Sequence, residues 1–300
     1  MTAEALQKRI KTTQELREIV KNMKALSSVS IWQYTQANKA LEKCRANLRD
    51  AFHALVLNNG VPQINNKQNA PAKYLYILIG TDNGMVGKFN KEIIEKVKTD
   101  LKAQKINLKD TLFIIVGKRL AMIAVQSGFN VYKQYGISNS VKVVSTLAEN
   151  VILDIDAATR LQRVTNVTVY YHKRQGSTAV NFEKRNLLPI DKKLWKNNLS
   201  KKWETNNFPM VGGDKHKLFK ALVNESLMID VIRFLNSSLA AEHFTRMTAM
   251  QEAENNIDEN LERMNLEYQQ QRQENITDEL IDVISGADAM RRNNKKSSFI

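Results

Sequence analysis

Glycine and proline are missing from two long stretches of this chain. Residues 1–59 contain neither, and neither occurs in residues 214–285. With nothing to end a helix, both stretches read as single helices longer than globular helices usually run, which points to a coiled coil. At about 1.5 Å of rise per residue they would extend roughly 90 and 110 Å. Cysteine is nearly absent too. Cys44 is the single one, which excludes an intrachain disulfide and suits a reducing compartment. No run approaches the ~18 consecutive apolar residues of a membrane helix, so no span is expected. MTAEALQKRI, at the start, has no apolar signal core, and no secretory or mitochondrial address is expected from it. The four histidines (His53, His172, His216 and His243) are scattered, none with a partner at metal-ligand spacing. No metal site is expected.

The apolar content, 43%, is enough for a core, and 300 residues would fill about two ordinary domains. All four prolines and most glycines fall in residues 60–213. That is the mark of a compact domain set between two rods. The expected organisation is residues 1–59 as one coiled-coil helix, 60–213 as an α/β domain, 214–290 as a second coiled-coil helix and 291–300 as a basic tail.

Charge separates these segments. Residues 1–59 carry ten basic and five acidic side chains, and residues 214–285 carry seven basic and fourteen acidic. Opposite charge favours pairing of the two rods and hinders self-pairing of either. The stretch RMTAMQEAENNIDENLERMNLEY (246–268) has Met247, Met250, Ala253, Ile257, Leu261, Met264 and Tyr268 as a single narrow seam. The N-terminal rod offers Leu6, Ile10, Thr13, Leu16, Val20, Met23, Ser27, Ser30 and Tyr34, then Ala37, Leu41, Cys44, Leu48, Phe52 and Leu55. An antiparallel pair within one chain is the expected arrangement. Two unrelated amphipathic helices of a bundle are the plainer alternative.

In the middle segment, strand-like and helix-like runs alternate. KYLYILIG (73–80), TLFIIVG (111–117) and NVYKQYGI (130–137) read as strands. Residues 91–104, KRLAMIAVQSG and residues 141–155 read as helices. VTNVTVYYHK and AVNFEKRNLLPI read as a hairpin. The fold class is therefore α/β with a mostly parallel sheet. This segment carries 24 basic and 11 acidic residues, nearly all of the net +14. Such a charge suggests an anionic partner: nucleic acid, an acidic protein or a membrane surface.

Chemistry-bearing motifs are few. GTDNGMVGKFN (80–90) spaces its glycines four and three apart, where a dinucleotide fingerprint needs two and three. Lys88 precedes Phe89 rather than the Ser or Thr of a phosphate loop. A tight strand-to-helix turn is the expected role. Asp154 and Asp156 read as solvated, and the acids of DENLE (258–262) as coiled-coil flanks. Glu242 and Arg246, four apart, read as a surface ion pair. Gly286 reads as an end or interruption of the last helix, and RRNNKKSSFI as a tail that protrudes or is disordered. No catalytic constellation and no cofactor site is found, so the chain is not expected to be an enzyme by itself. A coiled-coil scaffold or a nucleic-acid-binding protein is the alternative class, but aromatics interleaved with the basic residues are not seen.

These residues resemble the gamma subunit of F-type ATP synthases, the central rotor shaft. AAEHFTRMTAMQEAENN is similar to that family's Arg-Met-x-Ala-Met helix. YQQQRQENITDELIDVISGADAM is similar to its Arg-Gln, Ile-Thr-x-Glu-Leu and Ser-Gly-Ala stretch. GTDNGMVGKFN resembles its Thr-Asp-x-Gly-Leu-x-Gly-x-x-Asn loop. VKNMKALSSVSI resembles its N-terminal helix, with Val20 and Asn22 departing from it. VSIWQY after MKALSS, and the form of the loop, are closer to an alternate bacterial subclass that is sometimes sodium-linked (N-ATPase).

The resemblance implies a non-catalytic shaft. Its partners would be alpha and beta subunits, an epsilon subunit and a membrane c-ring, at the cytoplasmic face of a bacterial membrane. Carried over position by position, Arg272 and Gln273 would bond a beta-subunit loop, Arg246 would belong to the same contact, and Met23 and Lys24 would lie beside an acidic loop of beta. Leu280, Val283, Ile284 and Met290 would form an apolar bearing tip.

Overall fold

The computed structural model describes residues 3–59, 73–108, 111–137, 140–176, 179–190, 203, 207 and 210–297. Its elements are α1 (Ala3–Asn59), β1 (Tyr74–Ile79), α2 (Phe89–Ala103), β2 (Thr111–Val116), α3 (Lys118–Gln126), β3 (Val131–Tyr135), α4 (Val141–Leu161), β4 (Asn166–Gln175), β5 (Ala179–Leu188) and α5 (Lys215–Ser297). The α/β class and the two long terminal helices are as the sequence indicates. The helix expected over 141–155 runs on to Leu161, and α5 continues through Gly286 rather than ending there. A Cβ at Gly286 would meet nothing, so the glycine costs the helix only entropy. RRNNKKSSFI (291–300) is helical up to Ser297, not a wholly disordered tail.

The chain forms two compact units. One joins Met1–Ala25 to Thr248–Ile300, and the other is Leu26–Met247.

In the first unit the two helices pair antiparallel. Leu6, Ile10, Leu261 and Met264 form its core, with Ile257 and Tyr268 packed against them. Further along α1, Arg17 meets Asp258 at 2.6 Å, and Lys24 meets Glu254 and donates to Gln251 at 3.1 Å. Position rises on α1 as it falls on α5. The seam of α5 is the expected one. The seam of α1 is not: Leu16 is half exposed, and Arg17 takes the facing place. The steps Leu6, Ile10, Thr13, Arg17, Val20 and Lys24 alternate four and three. An apolar type is therefore a worse guide here than the repeat itself, because an arginine stem can cover the seam while its head meets an acid across it. Pairing within one chain is testable. With Cys44 replaced by Ser, Ile10→Cys and Leu261→Cys should be joined by a short bismaleimide into a product of monomer mass. A product only of dimer mass would mean that the rods pair between chains.

The second unit has a five-stranded sheet in the order β3-β2-β1-β4-β5. The pairs are parallel except β4 with β5. β1, at the centre, is apolar on both faces, as a doubly covered parallel strand must be. Tyr76 and Leu78 pack with Phe89, Ile93, Ile94, Val97 and Leu101 of α2 and with Leu120 and Ala124 of α3. Leu75, Ile77 and Ile79 pack on the other side with α4, with Tyr34 of α1, and with Val231, Phe234, Leu235 and Leu239 of α5. The edge strands β3 and β5 are polar and partly exposed, which keeps open edges from recruiting other strands. Within this unit α1 again meets α5. Glu42, Arg45, Asp230 and Arg233 form a four-member ion network with separations of 3.2–3.9 Å. Cys44, expected in the seam, is exposed, and Arg45 faces α5 instead.

Candidate functional site

A doubly wound α/β domain ordinarily binds ligands outside the carboxyl ends of its strands, where the strand order reverses. Here that place lies above β1, whose neighbours are β2 and β4. The loop there is GTDNGMVGKFN, and its own side chains close it. Thr81 N–H donates to Asn90 Oδ1 at 3.1 Å, and Asn90 Nδ2 donates back to Thr81 Oγ1 at 2.9 Å. Asp82 accepts from the Lys118 amide at 2.7 Å and the Ile137 amide at 3.1 Å, which ties the ends of three strands together. The first amide of α3 is thereby satisfied and is not free to hold a phosphate. Gly80 is required because a Cβ would lie 2.5 Å from Asn90 Oδ1 and 2.6 Å from Leu120 Cβ. Gly117, at φ 116°, passes so close to Thr81 that a Cβ would lie 2.7 Å from its nitrogen. The loop is the tight turn that its glycine spacing indicates.

What fills the crevice is the chain's own α5. Ser238 Oγ donates to the Ile79 carbonyl at 3.2 Å. Leu239 and Ala240 belong to the core on one face of the sheet and Ala241 to the core on the other. The helix therefore lies across the edge where a nucleotide would sit. Among the described residues no cluster of His, Cys, Asp and Glu is arranged to hold a metal ion.

One turn further on, α5 carries a buried charged group. Glu242 Oε1 accepts from Arg246 Nη2 at 2.6 Å, and Arg246 Nη1 lies 3.3 Å from His243 Nδ1. Both charged residues are at most 6% exposed, so this is not the surface pair read from the sequence. His243 stacks on the fully buried Tyr34 of α1, with ring centres 5.8 Å apart. Burial raises the Glu242 carboxyl to about 7 although Arg246 opposes it. Burial, helped by Arg246, lowers His243 to about 4. Burial, helped by Glu242, raises Tyr34 to about 12. A neutral His243 accepts from Arg246 at Nδ1 and so carries its proton on Nε2. Tyr34 is a seam position by its spacing, but its stack on His243 has no signal in the sequence, since two rings far apart in the chain have no spacing to read.

Met23 and Lys24 are half-buried on α1, and Lys24 is engaged with Glu254 and Gln251. Arg272 and Gln273 are exposed. Arg246 is buried and held by its own helix, so it offers no free surface to a partner. Leu280, Val283 and Ile284 are exposed, as are Ile276 and Ile281. The side chain of Met290 lies outside the described residues. Asp154 is not merely solvated, because it accepts from the Tyr135 hydroxyl, and Asp156 pairs with Arg160 at 2.9 Å.

The family model for ATP synthase matches residues 2–290. The chain belongs to the ATP synthase gamma family. The gamma chain of Bdellovibrio bacteriovorus is 26% identical over 296 residues, covering 94% of this chain and 96% of that one. That of Clostridium botulinum strain Hall is 26% identical over 294 residues, covering 95% and 97%. A chain of the Euglena gracilis mitochondrial ATP synthase, solved by cryo-EM in rotational state 3, has the same fold, with a TM-score of 0.62 at 16% identity over 98% of this chain and 96% of that one. A chain of the Tetrahymena thermophila central stalk and c-ring gives a TM-score of 0.54 at 20% identity, over 78% and 99%. No helix among the described residues is long and apolar enough to cross a membrane.

Proposed function

We propose that this gamma subunit is the non-catalytic shaft of its ATP synthase, turning with a membrane c-ring and driving conformational change in the catalytic beta subunits. The observation that carries the reading is the family match over residues 2–290, nearly the whole chain. The closed crevice supports a subunit that itself holds no nucleotide. The antiparallel pair supports asymmetry: two helices of different sequence present a different face in each direction. Three identical beta subunits around such a shaft would meet three different surfaces. Only differential contact can bias identical sites toward different states. An epsilon subunit and the c-ring complete the partners we assign, with the complex peripheral at the cytoplasmic face of a bacterial membrane.

Arg272 and Gln273 are the residues we place on a beta-subunit loop, with Met23 and Lys24 beside its acidic loop. Arg272 presents a forked set of donors, and Gln273 can donate and accept at once. Leu280, Val283 and Ile284, all exposed, are with Met290 the residues we assign to the apolar bearing tip. Replacing Arg272 and Gln273 together with Ala should leave the helix folded. Hydrogen bonds to charged groups are worth about 1.5–3 kcal/mol each, so assembly or ATP turnover should fall by roughly tenfold or more. The test is reconstitution with alpha and beta subunits, reading complex yield and ATPase rate. Wild-type values for both would remove the two residues from the interface. ATP turnover by this chain shown to be free of alpha and beta subunits would overturn the non-catalytic reading.

A further inference from the structure

In the sheet unit, α2, α3 and α4 each return the chain to the end where the strands begin. Each return closes on a backbone bond into its helix, over five residues after α2 and α3 and over six after α4. Ile106 N–H bonds to the Leu101 carbonyl at 3.0 Å, Phe129 N–H to Ala124 at 3.1 Å, and Val164 N–H to Ala158 at 3.3 Å. Each needs a residue of positive φ just past the helix. That residue is Gly128 (φ 80°) after α3, but Lys105 (φ 55°) after α2 and Arg163 (φ 56°) after α4. Glycine takes this conformation freely, and a side chain takes it at a cost. The chain bears that cost twice, each time to place a long cation.

Both cations lie at one end of the unit. Tyr74 is in register with Thr111 and with Asn166, the first residues of β2 and β4. Lys73 immediately precedes Tyr74, and its carbonyl accepts from the amides of Thr165 and Asn166. Lys102 is in the last turn of α2. Lys73, Lys102, Lys105 and Arg163 are all exposed and have no acidic partner among the described residues. Arg160 is already neutralised by Asp156. On the α4 side Leu161, two residues before Arg163, is 76% exposed.

We propose that this strand-start end is an electrostatic docking surface for an anionic lipid bilayer. α2 and α4 lie on opposite faces of the sheet, so Lys105 and Arg163 are too widely set to converge on one phosphate. They suit an extended array of headgroups. A protein interface of this kind would have a larger apolar centre than one leucine. The exposed Leu161, two residues before Arg163, is suited to dip among lipid chains while the cations hold the surface. The attraction is screened by salt. Helix dipoles also favour cations here, but Lys102 and Arg160 already supply them within the last turns without an unfavourable φ.

The test uses the full chain and co-sedimentation with vesicles of phosphatidylcholine alone or with about a third phosphatidylglycerol. Binding is expected only to the anionic vesicles and should be lost in high salt. Each cation near an anionic surface contributes about fivefold, so Lys102→Gln with Lys105→Gly and Arg163→Gly should weaken binding roughly a hundredfold. The two glycine replacements relieve positive φ, so this variant should melt at the same or a higher temperature. A control removes three cations elsewhere in the same unit, with Lys39, Lys43 and Lys173 each replaced by Gln, and should lose far less. Equal losses in the two variants would overturn the location. Equal binding to neutral vesicles, persistence in high salt, or no binding of the wild-type chain would overturn the lipid assignment, the last in favour of an acidic protein surface. The readout is independent of assembly with ATP synthase partners.

Discussion

At pH 8, where Glu242 is largely ionised, replacing Arg246 with Ala should destabilise the chain by about 3–5 kcal/mol, the cost of leaving a buried carboxylate without its partner. Glu242 is 2% exposed and its listener across the turn, at 2.6 Å, is the Arg246 guanidinium. His243 would lose its donor at the same time. Arg246→Lys should rescue little, since a single ammonium cannot reproduce the fork that reaches both neighbours. Pairing Arg246→Ala with Glu242→Leu should recover much of the loss, because no buried charge then remains. Denaturant unfolding of the three variants and the wild type is the measurement. A loss below about 1 kcal/mol for Arg246→Ala would place the pair in solvent, as the sequence alone reads it.

A second large effect is expected from pH. Burial raises the Glu242 carboxyl to about 7 from an ordinary value of 4.5. Its folded-state pKa lies above the unfolded one, so its contribution is fully present below pH 4.5. It is lost as pH rises through about 7. At roughly 1.4 kcal/mol per pH unit, that window removes about 3 kcal/mol. Asp230, also raised by burial, acts in the same direction. Asp100, lowered by its bonds from Lys184 and Tyr170 although burial opposes them, acts in the opposite one, losing its contribution as pH falls. Glu242→Gln isolates the effect. The difference in unfolding free energy between wild type and this variant should change between pH 4.5 and 8 by about 3 kcal/mol. A difference constant across that range would show that Glu242 stays ionised when folded.

The periodic elements were legible because burial writes itself into composition. β1 and β2 are continuous apolar runs, and α2 shows Ile93, Ile94, Val97 and Leu101 on one face, all buried. The α5 seam was legible for the same reason. In α1 the apolar pattern misleads at Leu16 and Cys44, where Arg17 and Arg45 face α5 and Leu16 and Cys44 face outward. Burial of Glu242 and Arg246 was not legible, since an i,i+4 pair looks the same in water and in a core. Neither was the Tyr135 bond to Asp154, which depends on how a strand and a helix are packed. Arg272, Gln273 and the run from Ile276 to Ile284 are a different case. They rest on family resemblance, because the surfaces they would act on are supplied by other chains.

The helix laid across the ends of the strands has a mechanical meaning. At residues 238–241, α5 is keyed into the sheet unit from both sides, with Ser238 bonded to the middle strand and apolar neighbours gripping each face. A twisting load on the helix at that point cannot slip past the sheet without opening both layers of the core at once. The crevice filled by the chain's own helix thus becomes a keyway, and the domain acts as a flange fixed to its axle.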